Sequence, residues 1–260
     1  MLKKAYRFFY ILKMSPAGRP KTILNPLYYE LSTDEKQIQE DLIMKNNLTE
    51  MVFILDRSGS MYGLEADTVG GFNSMIEKQK KEDGKAFVST ILFNDRSCVL
   101  HDRVDLEEIQ EMKTADFEVG GCTALYDAVG QAIHHIENIH KYARKEDVPE
   151  NTIFVITTDG LENASHIYNN QRIRALIEKK KEKDGWQFLF IAANIDAEET
   201  AASFGIEREN AVNYCADDAG TQILYKSVGR AISNLRTNAT VGSSWREDID
   251  IDYNKRHNKR

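Results

Sequence analysis

The 260-residue chain is short of cysteine (three), short of proline (four), carries a net charge of -7 and has no long apolar run. Each shortage excludes something. Cys98, Cys122 and Cys215 are odd in number and far apart, and none belongs to a C-x-x-C pair. That argues against a zinc knuckle or a disulfide framework and suits a reducing cytoplasm. Cys98 and Cys215 sit in strand-like runs and read as small buried hydrophobes. The acidic balance argues against nucleic acid as a partner, because phosphate contact needs a basic face. No segment approaches the ~20 apolar residues of a membrane helix. The start is basic and aromatic, but its apolar run, residues 8–12, is shorter than the roughly 7–15 residues of a secretory signal core. The expectation is a cytoplasmic protein, neither secreted nor tied to a membrane. A G-x-x-x-x-G-K-[ST] phosphate loop is missing too, so nucleotide hydrolysis by this chain is not expected.

What remains is an ordinary globular composition, 42% hydrophobic and 29% charged, enough to bury a sizeable core. Residues 1–47 stand apart. They hold Pro16, Pro20 and Pro26 and then a polar, acidic stretch, which reads as a poorly ordered extension with one short helix near residues 33–44. Met44, directly before a polar lead-in and the first strong strand, is an alternative natural start. From Glu50 onward short apolar runs alternate with amphipathic stretches of helical length, the rhythm of βαβ units. Strands are expected at 51–55, 86–93, 98–104, 152–157, 186–193 and 211–215, and helices at 65–82, 125–143, 169–183, 197–204 and 219–235. The second and third strands are joined only by residues 94–97, too few for a parallel crossover, so they pair as an antiparallel hairpin. Continuous apolar strands such as Val52-Phe53-Ile54-Leu55 suit a sheet covered on both faces. The fold class is therefore α/β: a doubly wound, mostly parallel, Rossmann-like six-stranded sheet with one antiparallel hairpin strand. The globular domain spans 48–236, and the polar, charged residues 237–260 read as a disordered tail.

Three loops carry chemistry, each beyond the carboxyl end of a strand, where open α/β sheets hold their ligands. Asp56-Arg57-Ser58-Gly59-Ser60 follows the first strand with oxygen-bearing side chains at alternate positions, which point to one side of an extended loop. Gly120-Gly121-Cys122-Thr123 precedes the second helix and offers one more hydroxyl. Thr157-Thr158-Asp159-Gly160 places a second carboxylate at the tip of the fourth strand. Asp56, Ser58, Ser60, Thr123 and Asp159 are all oxygen donors, a set that selects Mg²⁺, Mn²⁺ or Ca²⁺ over softer metals. Two carboxylates and weak hydroxyls leave such an ion partly unsaturated, so an outside anion can complete its shell.

These residues, in this order over about residues 48–236, resemble the metal-ion-dependent adhesion site of von Willebrand factor A domains, and the style is closer to intracellular microbial members of that family. The resemblance implies that Ser58, Ser60 and Thr123 coordinate the ion directly and that Asp56 and Asp159 act largely through bound water. It implies, too, that the ion accepts an aspartate or glutamate of a partner protein, so that the chain binds rather than catalyses. Arg57, Glu162 and Asn163 are candidates for the rim that meets this partner. A hydrolase using Asp56 or Ser58 is the alternative. The usual second carboxylate of an aspartyl phosphatase is replaced by Ser58, and Ser58 lies outside any G-x-S-x-G elbow. A purely stabilising metal is a third possibility. Asn94 and Asp95 read as turn formers, Tyr126 as packing and Asp127 as helix N-terminal charge. His134, His135 and His140 contain no i, i+4 pair and read as solvated or half-buried helix residues rather than a metal cluster.

Overall fold

The computed structural model describes residues 48–257 and the backbone of two short strands before them. The chain divides into two compact units, residues 1–45 and 46–260. In the first, β1 (Ile11–Met14) pairs antiparallel with β2 (Pro20–Ile23), a ladder not expected of the extension. Its proline stands at the first residue of a strand, where proline is tolerated. The helix expected near residues 33–44, and Met44 itself, lie outside the described residues.

The second unit is built on one sheet. Its strands are β3 (Leu48–Asp56), β4 (Lys85–Phe93), β5 (Ser97–Asp105), β6 (Asn151–Thr158), β7 (Gln187–Ala192) and β8 (Ala211–Asn213), in the order β5-β4-β3-β6-β7-β8. All neighbours are parallel except β4 and β5, which form the hairpin. From β3 the chain crosses first to β4 and only later returns to β6 on the other side. The strand order therefore reverses between β3 and β6, and the crevice at their carboxyl ends is the natural ligand position.

Alternation along β3 divides the core. Met51, Phe53 and Leu55 face one layer, formed with α1 (Glu65–Gln79) and α5 (Asp218–Asn238). Val52 and Ile54 face the other, formed with α2 (Leu125–Tyr142), α3 (Asn170–Asp184) and α4 (Ala197–Ser203). A strand covered on both faces gains from apolar residues at every position, which is why this one is buried from end to end. The helix ends follow local chemistry. Asn169, Asp196 and Asp217 cap α3, α4 and α5 by accepting backbone N–H bonds, and Gly185 ends α3 in the left-handed region.

The C-terminal residues correct the expectation of a disordered tail. A 3-10 turn at Ser243–Arg246 leads into α6 (Glu247–His257). Trp245 is only 1% exposed within the α1 and α5 layer, and its indole N–H donates to the carbonyl of Glu209 at 3.0 Å. Arg246 bonds Glu198 and Asp250, and Arg256 bonds Asp217 and Asp252. Only Ile249 of α6 is buried, so the helix lacks the apolar stripe by which a sequence announces one. A single tryptophan just ahead of it supplies the anchor. Cys98 is a second correction. It lies on the edge strand β5 and is exposed, as is Cys122, and Cys215 is half-buried. Among the described residues no helix is long and apolar enough to cross a membrane.

Candidate metal centre

Asp56 is the last residue of β3, and Asp159 immediately follows β6, so the switch point brings both carboxylates together. Asp56 is 1% exposed and held from two sides. Its Oδ1 accepts the Ser58 backbone N–H at 2.7 Å, and its Oδ2 accepts the Thr158 hydroxyl at 2.6 Å. Beyond it a 3-10 turn, Gly59–Met61, folds Ser60 back toward Ser58. The two hydroxyl oxygens lie 3.1 Å apart, and Ser60 Oγ donates to Asp159 Oδ1 at 2.5 Å. Alternate positions of one loop thus converge on the carboxylate of another.

Thr123 joins from the third loop. A Cβ placed on Gly160 would lie 3.4 Å from Ser60 Oγ and 3.5 Å from Thr123 Oγ1. Both hydroxyl oxygens therefore lie around Gly160, the residue after Asp159. The glycine pair ahead of Thr123 has its own steric reason. Gly121 has φ +79°, a backbone conformation that favours glycine, and a Cβ there would also have to displace the side chain of Asp95, whose Oδ1 would lie 2.1 Å away. The backbone closes the loops on one another: Gly59 N–H donates to Gly121 O and Gly120 N–H to Arg57 O.

Several residues serve in roles the sequence did not show. Asn94 and Asp95 do form the hairpin turn. In addition, Asn94 Nδ2 donates to Gly120 O at 2.8 Å and its carbonyl accepts Ala124 N–H, which braces the Thr123 loop. The Asn163 side chain accepts the Thr123 N–H, while Asn163 N–H donates to Thr123 O. Glu162 accepts bonds from the N–H groups of Tyr126, Ala164 and Ser165 and from the Ser165 hydroxyl. The carboxylate expected at the rim is thus engaged in joining the Asp159 loop to the start of α2. Asp127, buried, accepts the N–H groups of His166, Ile167 and Tyr168. No sequence motif marks this second tier, because it consists of bonds between side chains and backbone that are distant in sequence. Arg57 is half-buried, and its Nε has no hydrogen-bond partner among the described residues. His134, His135 and His140 go separately to Glu137, Asp102 and Glu50.

Burial pushes the carboxyls of both Asp56 and Asp159 above their ordinary values. For Asp56 the bonds from Thr158 and Ser58 oppose that push, and the nearby charge of Asp159 adds to it. Among the described residues neither carboxylate has an ion-pair partner. Two acids held at low exposure without a cation are unfavourable in isolation. A hard divalent ion would relieve both, and the surrounding oxygen donors suit one. Among the described residues there is no cluster of three or more His, Cys, Asp or Glu side chains fit for a metal. Any ion here depends on the hydroxyls of Ser58, Ser60 and Thr123. The centre is open on one side to a cavity of about 440 Å³ lined by Ser60, Asp159, Tyr62, Tyr214 and Tyr253 among others.

A mixed Rossmann-like sheet with an oxygen-rich centre at its switch point defines a doubly wound α/β domain. Solved structures refine the class. A von Willebrand factor type A protein from Catenulispora acidiphila matches over 72% of this chain and 42% of its own, at 12% identity and TM-score 0.50. Proximal thread matrix protein 1 from the mussel byssus, described with a zinc-occupied metal-ion-dependent adhesion motif, matches over 73% of this chain and 46% of its own, at 13% identity and TM-score 0.50. The chain spans less than half the length of these two proteins. No protein-family model and no curated protein matches the sequence. The likeness is therefore one of fold: the domain has the von Willebrand factor A architecture.

Proposed function

We propose that the chain is a divalent-cation-dependent protein-binding module of an intracellular assembly. Ser58, Ser60 and Thr123 hold a Mg²⁺, Mn²⁺ or Ca²⁺ ion, Asp56 and Asp159 neutralise it from behind, and an aspartate or glutamate of a partner protein completes the shell. The bound ion supplies a positive charge that a carboxylate from outside can reach. The observation that carries this reading is the meeting of two buried, cation-free carboxylates with hydroxyls from separate loops beside an open cavity. The neighbour with zinc in its adhesion motif supports metal competence in this architecture and makes zinc a necessary arm of any test. Unpaired cysteines, two of them at the surface, suit a reducing compartment. Binding is favoured over hydrolysis because Ser60 donates directly to Asp159 and, among the described residues, no histidine is bonded to Ser58 or Ser60.

Calorimetric titration with Mg²⁺, Mn²⁺, Ca²⁺ and Zn²⁺ tests the site. Asp159→Ala and Ser60→Ala should each weaken the preferred ion by roughly ten-fold or more, with circular dichroism unchanged. Retention from native lysate should then require the ion and disappear with chelator. Equal ion affinity in wild type and Asp159→Ala would refute the assignment. Turnover of a phosphate ester that is abolished by Ser58→Ala would make the protein a hydrolase instead.

A further inference from the structure

α1 and α5 lie side by side on one face of the sheet, and between them runs an open groove of about 640 Å³. Its two ends carry opposite charge. Asp67 and Asp218 line the end where both helices begin, and Lys78 lines the groove near the end of α1. Asp67 and Lys78 are about 16 Å apart along the helix axis at 1.5 Å per residue, and neither has an ion-pair partner among the described residues. The glycines of α1 differ in what they do here. A Cβ on Gly71 would lie 2.3 Å from the Tyr225 ring of α5, so the packing of the two helices itself calls for that glycine. Gly70 is exposed and in ordinary helical backbone, and a Cβ on it would meet nothing within 4 Å. Glycine in mid-helix is unfavourable relative to alanine, and no contact among the described residues accounts for this one.

We infer that the groove takes α1 of a second copy of this chain, laid antiparallel about a two-fold axis so that each copy's α1 lies in the other's groove. A two-fold contact must be self-complementary, and the charges on this face are. Reversing α1 about the point midway between Asp67 and Lys78 sets the aspartate of each copy beside the lysine of the other. A parallel pairing would set acid against acid. Gly70 and Ser74, both exposed, fall at the crossing, where small residues let two helix backbones come close. A second copy is favoured over an unrelated helix because one sequence supplies both the groove and its charge complement. The inference does not depend on a bound ion. The ion centre lies beyond the carboxyl ends of β3 and β6 and outside this face, so the antiparallel pair would carry its two centres at opposite ends.

Sedimentation velocity of the full chain, with chelator present, tests the pairing. Two helix faces make an interface at the small, weakly associating end of the range, so the series runs from about 1 to about 500 µM. A monomer–dimer equilibrium is expected. Gly70→Arg, which the clear space above Gly70 lets the monomer accept, should abolish it. Asp67→Lys and Lys78→Glu should each weaken it roughly ten-fold or more, since each turns two attractions into two repulsions. An equimolar mixture of those two variants should recover a heterodimer, because the changed residue of one then meets the opposite charge on the other. That recovery also shows that both variants are folded. A chain that stays monomeric throughout the series overturns the inference, as does a dimer that persists in Gly70→Arg or a mixture that fails to associate where the parent does.

Discussion

Replacing Trp245 with alanine is the sharpest test of the folded C-terminus. The side chain is 1% exposed in the core layer of α1 and α5, and truncating a large buried aromatic costs about 3–5 kcal/mol. The lost bond from Nε1 to Glu209 O adds little, because Glu209 is exposed and water can replace the donor. A domain of this size commonly has 5–15 kcal/mol in hand, so the variant should remain folded but weakened. The loss should be uneven. α6 has 11 residues, and isolated helices below roughly 12–15 residues are marginal in water. Without Trp245 it keeps one buried isoleucine and ion pairs that are at best part-buried, each worth about 0.2–1 kcal/mol. Amides of 247–257 should therefore exchange far faster than in the parent, and trypsin should cut at Lys255 and Arg256, while the amides of β3 and β6 slow down or speed up only with global stability. A urea-derived loss below about 1 kcal/mol with unchanged exchange in 247–257 would show that Trp245 does not anchor this helix.

Two further outcomes follow from particular contacts. Gly121→Ala forces a side chain into the left-handed region, at about 1–2 kcal/mol, while the exposed Asp95 side chain can move aside; thermal denaturation should show that loss, and calorimetry a weaker divalent ion, because the strained loop carries Thr123. The Lys180 ammonium, 2.7 Å from Glu137, holds the Glu137 carboxyl down to about 2, from an ordinary 4.5. A depressed carboxyl stabilises the fold above its unfolded value and loses that effect as the acid protonates. The urea-midpoint difference between wild type and Glu137→Gln should thus be full above pH 4.5 and shrink as pH falls toward about 2; a difference that grows on acidification would contradict the pairing.

The sheet was legible in the sequence because period and content agreed. Strands buried on both faces leave continuous apolar runs, as at Val52-Phe53-Ile54-Leu55, and the short link between the second and third expected strands, residues 94–97, left only a hairpin possible. The three loops were legible because their residues are local: Asp56, Ser58 and Ser60 alternate within five positions. What escaped was held by long-range bonds. Glu162 looked like rim because the bond that ties it to the start of α2, from the Tyr126 N–H, comes from 36 positions away. α6 escaped for a related reason. Its stability is tertiary, carried by Trp245 and by arginine pairs to Glu198 and Asp217, and its own polar composition matched that of a tail. Cys98 was misjudged because strand-like composition does not reveal which strand will be an edge.

The same distinction explains how the centre can stay charged without collapsing. Asp56 could lower its charge cost by drawing in a lysine or arginine, but both of its oxygens are already committed to Ser58 and Thr158, and its loop is pinned to Gly120 and Gly121 through backbone bonds. Asp159 is fixed likewise by Ser60. The supporting bonds around Thr123, from Asn94, Asn163 and Glu162, involve backbone groups rather than cations. The loops are thereby held rigid without any of their supports neutralising the two acids. A site organised in this way leaves two buried acids without a cation, and either a proton or a small ion from solution would relieve them. On the proposed reading, an ion held there would meet donors that are mostly neutral hydroxyls, so part of its charge would remain directed at the cavity.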